Sequence, residues 1–219
     1  MDTVQEVRYF HVHRGADPSW KPGANFFFGR STNRFVGFFD TSYQRVLDQG
    51  TGREHMVNDV LNNAVEVLSG RSPKDPAFAS FYHYNPQLCL GEATKCLNHY
   101  LCLVREFVFE DVRRDSFSML PSRYRCTWLI PKKPDCVQYW LQALDAGKAK
   151  IFELEVTGKI HVASQRYLHL GTYSLNTWRQ HAFKYWAGIR EVETKEDEVL
   201  FEGFVKVTRE LTIQEAMAC

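Results

Sequence analysis

Three short runs in this 219-residue chain carry side chains able to hold a ligand, move a proton or stabilise charge. The first is Tyr9-Phe10-His11-Val12-His13-Arg14-Gly15. In an extended strand His11 and His13 point to the same face. Such a pair can help bind a metal, or one imidazole can sit in a core hydrogen bond while the other is solvated. A metal site needs further ligands with supporting geometry, and the spacing picks out no third residue, so no metal is expected. The second run is Leu120-Pro121-Ser122-Arg123-Tyr124-Arg125-Cys126-Thr127-Trp128-Leu129. It opens an aromatic strand with a hydroxyl and a guanidinium, either at a sheet end where ligands often sit or as a solvated strand start. No glycine pattern of a nucleophile elbow surrounds any serine, so a Ser-His-Asp nucleophile cannot be assigned. The third run is Glu196-Asp197-Glu198-Val199-Leu200-Phe201-Glu202-Gly203-Phe204-Val205-Lys206-Val207. Its carboxylates stand at the threshold of an apolar strand, as a solvated loop or, if the strand starts early, with Glu196 and Glu198 on one face.

The elements that must position these groups follow from periodicity. Residues 7–13 are rich in β-branched and aromatic types and end at Arg14-Gly15, which predicts a first strand. From Gly15 to about Gly52 the prolines and glycines predict irregular chain. Its aromatic clusters at Phe26–Phe28 and Phe35–Phe39 should fold back on the core or line a pocket. Met56, Val57, Val60, Leu61, Ala64, Val65 and Leu68 predict a helix over 53–69 closed by Gly70. A second helical period, from Leu90 to Val112, predicts one long or kinked helix over 87–114. Strands are expected at Tyr124–Ile130, Lys150–Val156 and Lys159–Val162, a final strand or hairpin at Glu198–Leu211, and helices at Asp135–Leu144 and Leu175–Trp186. No repeat or low-complexity linker is present. The expectation is one α+β domain over 1–219, with a helical part at about 53–114 and a strand-rich part at about 120–211.

Composition narrows the function classes. The chain has 27 basic and 26 acidic residues and a net charge of +1, which argues against a protein held to nucleic acid by bulk charge. No run approaches the roughly 20 apolar residues needed to span a bilayer. The first fifteen residues lack a secretory signal's basic patch and apolar run. Six cysteines without a C-x-x-C pair suggest free thiols rather than a disulfide framework. A cytoplasmic protein with no membrane partner is expected.

The order of these runs, a His-bearing first strand, a Ser-bearing middle strand and a Glu directly before a final apolar strand, resembles the ADP-ribosyltransferase superfamily. That superfamily commonly places a late Glu in an E-[VI]-L-x-x-x-x-x-V context, similar to Glu198-Val199-Leu200 running on to Val205 and Val207. More narrowly, the chain resembles an uncharacterised bacterial family placed in that superfamily. Four segments carry the likeness: Tyr9-Phe10-His11-Val12, Arg105-Glu106-Phe107-Val108-Phe109-Glu110-Asp111-Val112-Arg113, Leu120-Pro121-Ser122-Arg123, and Tyr185-Trp186-Ala187-Gly188. The middle strand departs from the superfamily by lacking a Ser-Thr-Ser motif.

The resemblance implies an ADP-ribosyltransferase-like mixed sheet with a helical segment inserted after the first strand. It implies NAD as substrate and transfer of ADP-ribose to a macromolecular acceptor, protein or nucleic acid. Glu198 would stabilise the oxocarbenium-like transition state, the charge development that carboxylates meet in glycoside hydrolysis. Glu196 would orient or deprotonate the acceptor. His11 would position the dinucleotide, with His13 or Arg14 in that role if the register differs. Ser122, with Arg123 beside it, would orient NAD or the catalytic Glu, and Tyr124 would stack on nicotinamide. Kinship also brings the expectation of a toxin or phage-defence effector restrained by an inhibitory antitoxin protein. Two rivals stand beside this reading: an NAD-dependent RNA 2′-phosphotransferase, for which Arg14, Arg30, Arg34 and Arg123 are the candidate phosphate-binding arginines, and a noncatalytic binding module on the same fold.

Overall fold

The computed structural model of the chain describes residues 2–14, 17–41, 45–47, 52–74, 86–144, 150–190 and 195–218. It divides into two compact units, one made of Met1–Gly37 with Arg105–Cys219 and the other of Phe38–Val104.

The first unit is built on two long strands, β6 (Lys150–Ser164) and β7 (Asp197–Leu211), preceded by β1 (Asp2–His13), β2 (Asn25–Phe28) and β5 (Thr127–Leu129). The order is β1-β6-β7, with β2 and β5 lying one after the other along the free edge of β7. Phe10 and Ile130 then exchange both main-chain hydrogen bonds, at 2.9 and 2.7 Å, so β5 meets β1 and the sheet rolls on itself. A mixed sheet was expected; every pairing among the described residues is antiparallel. The reason lies in the connections. Ser164 pairs with Asp197, so the excursion between β6 and β7 leaves and returns at one end of the sheet, whereas a parallel pair needs a crossover to the other end.

Strand parity sorts the side chains. Phe152, Leu154, Val156 and Ile160 of β6 and Val199, Phe201, Val205 and Val207 of β7 fill the inner face with Leu129. The alternate residues, Ala163 and Leu200, face outward into a second core with Phe109, Tyr167, Trp178, Ala182, Tyr185 and Trp186. Three helices cover this outer face: α3 (Pro86–Ser116) from Arg105 onward, α5 (Leu175–Trp186), and α4 (Pro134–Ala143), which seats Val137 and Trp140 beside Phe10, Ile151 and Leu211. Pro134 opens α4 where no N–H is needed, Ser174 caps α5 by accepting from Thr177 N, and a Thr212–Glu215 capping box starts the terminal α6 (Ile213–Met217).

A helical segment does follow the first strand, but β2 enters the sheet before it. The stretch expected to be irregular also holds α1 (Arg34–Thr41). The second unit contains the two-stranded pair β3 (Arg45–Leu47) and β4 (Glu54–Met56), α2 (Val57–Leu68) and the first part of α3. Val57 and Val60 of α2 pack there with Val46, Leu61 and Cys96. No helix among the described residues is long and apolar enough to cross a membrane.

Candidate functional site

The outer face carries a buried hub centred on the Ser122-Arg123 dipeptide. Ser122 and Arg123 lie in a tight turn in which Ser122 O accepts from Arg125 N and Cys126 N, at 3.0 and 2.8 Å. The Asn33 side chain pins the turn from outside through Arg123 O and Cys126 O. From one side α3 presents Glu106, Glu110 and Arg113, spaced four and three residues apart and therefore on one helical face. From the other side β7 presents Glu198 and Glu202, four residues apart and so on the same face of the sheet.

Each of these four carboxylates meets a different part of the dipeptide or its surroundings. Arg123 donates to Glu106 through Nε at 2.8 Å and Nη2 at 3.2 Å. It donates through Nη1 to Glu198 at 2.5 Å and to Tyr185 Oη at 2.8 Å. Tyr185 in turn donates to Glu198 at 2.7 Å. Ser122 Oγ donates to Glu110 at 2.9 Å, and Ser122 N donates to Glu202 at 2.8 Å. Glu110 is also bridged by Arg113 and Arg114, and Glu106 by Arg105, whose Nη1 reaches Leu168 O.

The centre of the hub is out of water: the side chains of Arg123, Glu106 and Glu198 are 4%, 1% and 7% exposed. Burial works against the charges on both sides and loses. It pushes the Arg123 guanidinium down, but the Glu106 and Glu198 carboxylates hold it well above its usual value. It pushes Glu106 up, and Arg123 and Arg105 bring it below the usual carboxylate range. The Tyr185 phenol is driven well up, by burial first and with Glu198 adding to it against Arg123. Burial also raises the neighbouring Cys126 thiol far up, which leaves it an inert apolar filler.

At the flank of Glu198 the groups are half-buried. Tyr139 donates to Gln165 Oε1 at 2.5 Å, and burial, then the Glu196 and Glu198 charges, raise its phenol. Gln165 N donates to Glu196 O. Tyr124 contributes its main chain to the hub, donating from N to Ser122 Oγ and accepting at its carbonyl from Asn33 N.

The first-strand histidines sit elsewhere. His11 pairs with Phe152 across β1 and β6 and so shares the inner face, whereas Glu198 pairs with Ala163 and faces outward. Of the expected site residues, Ser122, Arg123, Glu198 and the Tyr124 backbone come together, with Glu196 at their edge. His11, His13 and Arg14 do not join them. The ladder between β1 and β5 is one hydrogen-bonded pair long, and His11 Nδ1 then binds Trp128 O at 2.8 Å. A carbonyl only accepts, so Nδ1 carries the proton, and burial lowers the imidazole to about 4 despite that bond. His13 is buried, with no hydrogen-bond partner for Nε2 among the described residues, and Arg14 donates to Leu144 O. Among the described residues no cluster of three or more His, Cys, Asp or Glu is arranged to hold a metal.

Sequence reasoning did not assign roles to Glu106, Tyr139 or Tyr185. A signal existed for two of them, because Glu106 and Tyr185 lie in segments that carried the family resemblance, and the structure joins both through Arg123. Comparison with known families adds that a model described as "Protein of unknown function (DUF2441)" matches residues 9–215. The chain belongs to the DUF2441 family. No curated protein matches it. The DUF2441 match begins at Tyr9 and ends at Glu215, so the His11 seam and the Arg123 hub both fall inside the stretch that defines the family.

Proposed function

We propose that this DUF2441 chain transfers ADP-ribose from NAD to a macromolecular acceptor, a protein side chain or a nucleic acid, with Glu198 as the carboxylate at the reacting ribose. One observation supports this above the others. The Glu198-Val199-Leu200 strand start carries a carboxylate fixed from two directions, by Arg123 at 2.5 Å and Tyr185 at 2.7 Å, beside the half-buried Glu196, Tyr139 and Gln165. A preorganised carboxylate in a site shielded from water is what an oxocarbenium-like transition state calls for.

In the reaction the bond from the ribose anomeric carbon to the nicotinamide nitrogen breaks, and its electron pair leaves with nicotinamide. Positive charge grows on the ribose, facing Glu198. The acceptor's nucleophile forms the new bond and gives up its proton to Glu196. Orientation of Glu198 falls to Arg123 and Tyr185, since the Ser122 hydroxyl is committed to Glu110. NAD is a substrate in this scheme, and the inner-face histidines have no role in it.

The RNA 2′-phosphotransferase reading has less support, because its four arginines have four separate partners: Asp17 for Arg34, Phe27 for Arg30, Leu144 O for Arg14, and the buried hub for Arg123. The noncatalytic reading is favoured by one specific feature, that Glu198 and Ser122 already find their partners inside the protein.

Incubation of wild type and Glu198→Gln with labelled NAD and separate pools of protein, RNA and DNA separates the two. Glu198→Gln should keep NAD affinity within a few fold and lower transfer by orders of magnitude. Absence of NAD binding and of nicotinamide release by wild type would leave the hub as a structural lock.

A further inference from the structure

The aromatic run Phe26–Phe28 is divided between the two faces of the sheet. Phe26 and Phe28 turn inward and pack with Trp20, while Phe27 turns outward and is 53% exposed. Across the ladder Phe27 pairs with Phe204 of β7, which is 45% exposed. Phe204 follows Leu200 by four residues and so shares its outward face. Two large rings therefore stand on neighbouring strands of the outer face, in a part of it that the helices leave in water.

Single exposed apolar residues are ordinary; this pair is set apart by its surroundings. The Arg30 guanidinium lies over the Phe27 ring, 4.5 Å from the centroid, and the exposed Arg125 is tied alongside, its carbonyl accepting from Gly29 N. Lys206 follows Phe204 by two residues, roughly 7 Å along the strand, and is exposed on the same face opposite Asn25. On β6, Thr157 lies opposite Phe204 and Lys159 opposite Glu202. The carboxylates on these strands are Glu155, opposite Lys206, and Glu202, which is taken up by Ser122 N. On β1, a strand further out, Arg8 and Glu6 add one charge of each sign. The ground around the rings is thus positive, although the whole chain carries only +1.

We propose that this face binds single-stranded nucleic acid, with bases stacked on Phe204 and on the Phe27–Arg30 pair and the backbone phosphates held by Lys206 and Lys159. Exposed rings on a sheet with cations among them match what an unpaired strand offers. Every base has a flat face that stacks on an aromatic ring or on a guanidinium plane, and the cations neutralise the phosphates. A duplex hides those base faces.

Other occupants fit less well. A second copy joined by a two-fold axis would set this positive face against itself. A peptide anchors through side chains seated in pockets, whereas Phe27 and Phe204 project from the sheet into water. The near-neutral total charge means that affinity rests on this local arrangement and not on a bulk field. The inference goes beyond the transferase reading and does not depend on it.

Anisotropy of a labelled oligothymidylate, titrated with protein at low salt and without NAD, tests the proposal, with the same strand annealed to oligoadenylate as the duplex arm. Wild type should bind the single strand about tenfold more tightly than the duplex. Phe204→Leu and Phe27→Leu, which keep an apolar side chain and delete the ring, should each weaken binding about tenfold, while Phe204→Tyr should bind as wild type does. Lys206→Gln should lower the slope of log affinity against log salt by about 0.7. If Phe27→Leu loosens β2, Phe204→Leu and Arg30→Gln carry the test, Arg30→Gln again weakening binding.

The proposal is overturned if wild type does not bind the single strand, if the duplex binds as well, or if the leucine variants bind as wild type does, which would leave charge alone. It is also overturned if wild type is a dimer that Phe204→Leu converts to monomer, or if polyglutamate displaces the strand as effectively as unlabelled oligothymidylate; these results would assign the face to a second copy or to an acidic protein. Glu198→Gln should bind the strand as wild type does. Loss of transfer with strand binding intact therefore separates failure of one reading from failure of the other.

Discussion

Arg123 is the residue on which the outer-face hub turns, and replacing it by Met tests whether the charges there are mutually required. Met keeps an apolar stem of similar reach and deletes the guanidinium. Two carboxylates lose their main partner, but unequally. Glu106 keeps Arg105, at 2.7 and 3.0 Å, while Glu198 keeps, among the described residues, only the neutral hydroxyl of Tyr185. Breaking a buried pair from one side typically costs about 3–5 kcal/mol, because a buried charge is left without compensation. In a unit of about 150 residues each kcal/mol lowers Tm by roughly 2–4 °C, so a fall of about 6–20 °C is expected.

Urea unfolding of wild type, Arg123→Met, Glu198→Gln and the double variant, at pH 7, measures it. Removing the orphaned charge in the double variant should recover about 1–3 kcal/mol of the loss as a coupling between the two sites. A cost for Arg123→Met below about 1 kcal/mol, or a double variant no more stable than Arg123→Met alone, would refute the reasoning.

Gly158→Ala places a Cβ 2.3 Å from Glu202 O and 2.8 Å from Gly203 Cα, at φ +157°, and should cost about 2–4 kcal/mol in chemical denaturation. Burial lowers the His161 imidazole to about 4, against its bond to Tyr185 O. The unfolded chain therefore binds the extra proton first, so stability is complete above about pH 6.5 and about 3 kcal/mol is lost as pH falls to about 4. Urea midpoints from pH 7.5 to 4.5 should slope less for His161→Gln. Ser174→Ala removes the α5 cap at Thr177 N and should lower stability by about 1 kcal/mol in the same assay.

Where local pattern decides structure, the sequence could be read closely. The helix expected at Leu175–Trp186 is α5 with the same ends, and the long apolar period over 87–114 is the continuous α3, Pro86–Ser116. Errors cluster where distant chain decides. Two strands were expected around Gly158, because glycine punctuates a strand pattern. The structure has one strand, β6, and Gly158 is there because Gly203 of β7 crosses it without room for a side chain. Residues 54–56 are extended as β4 rather than helical, through pairing with β3. The hub was only half legible. Ser122, Arg123 and Glu198 drew notice as polar groups at strand ends, but nothing local reveals that Arg123 reaches Glu198 and Tyr185, 75 and 62 residues away.

The separation of His11 from Glu198 follows from register, which sequence order does not contain. A His-Ser-Glu order along the chain is the same whether the strands bring those side chains to one face or to two. One residue of slip moves every side chain of a strand to the other face, so the outcome depends on what locks β7 against β6. The Gly158–Gly203 pair does this, because no other alignment of the two strands would set the two residues without side chains opposite each other at the close approach. With that pair fixed, Glu198 lies opposite Ala163, and Val199 opposite Val162. The Phe10–Ile130 bridge fixes β1 in the same way and turns His11 inward. The glycine pair and the Phe10–Ile130 bridge together set the carboxylate and the histidine on opposite faces of the sheet. That is why the transferase reading rests on Arg123 and Tyr185 as partners of Glu198, and why the imidazoles stack against Trp20 on the inner face instead.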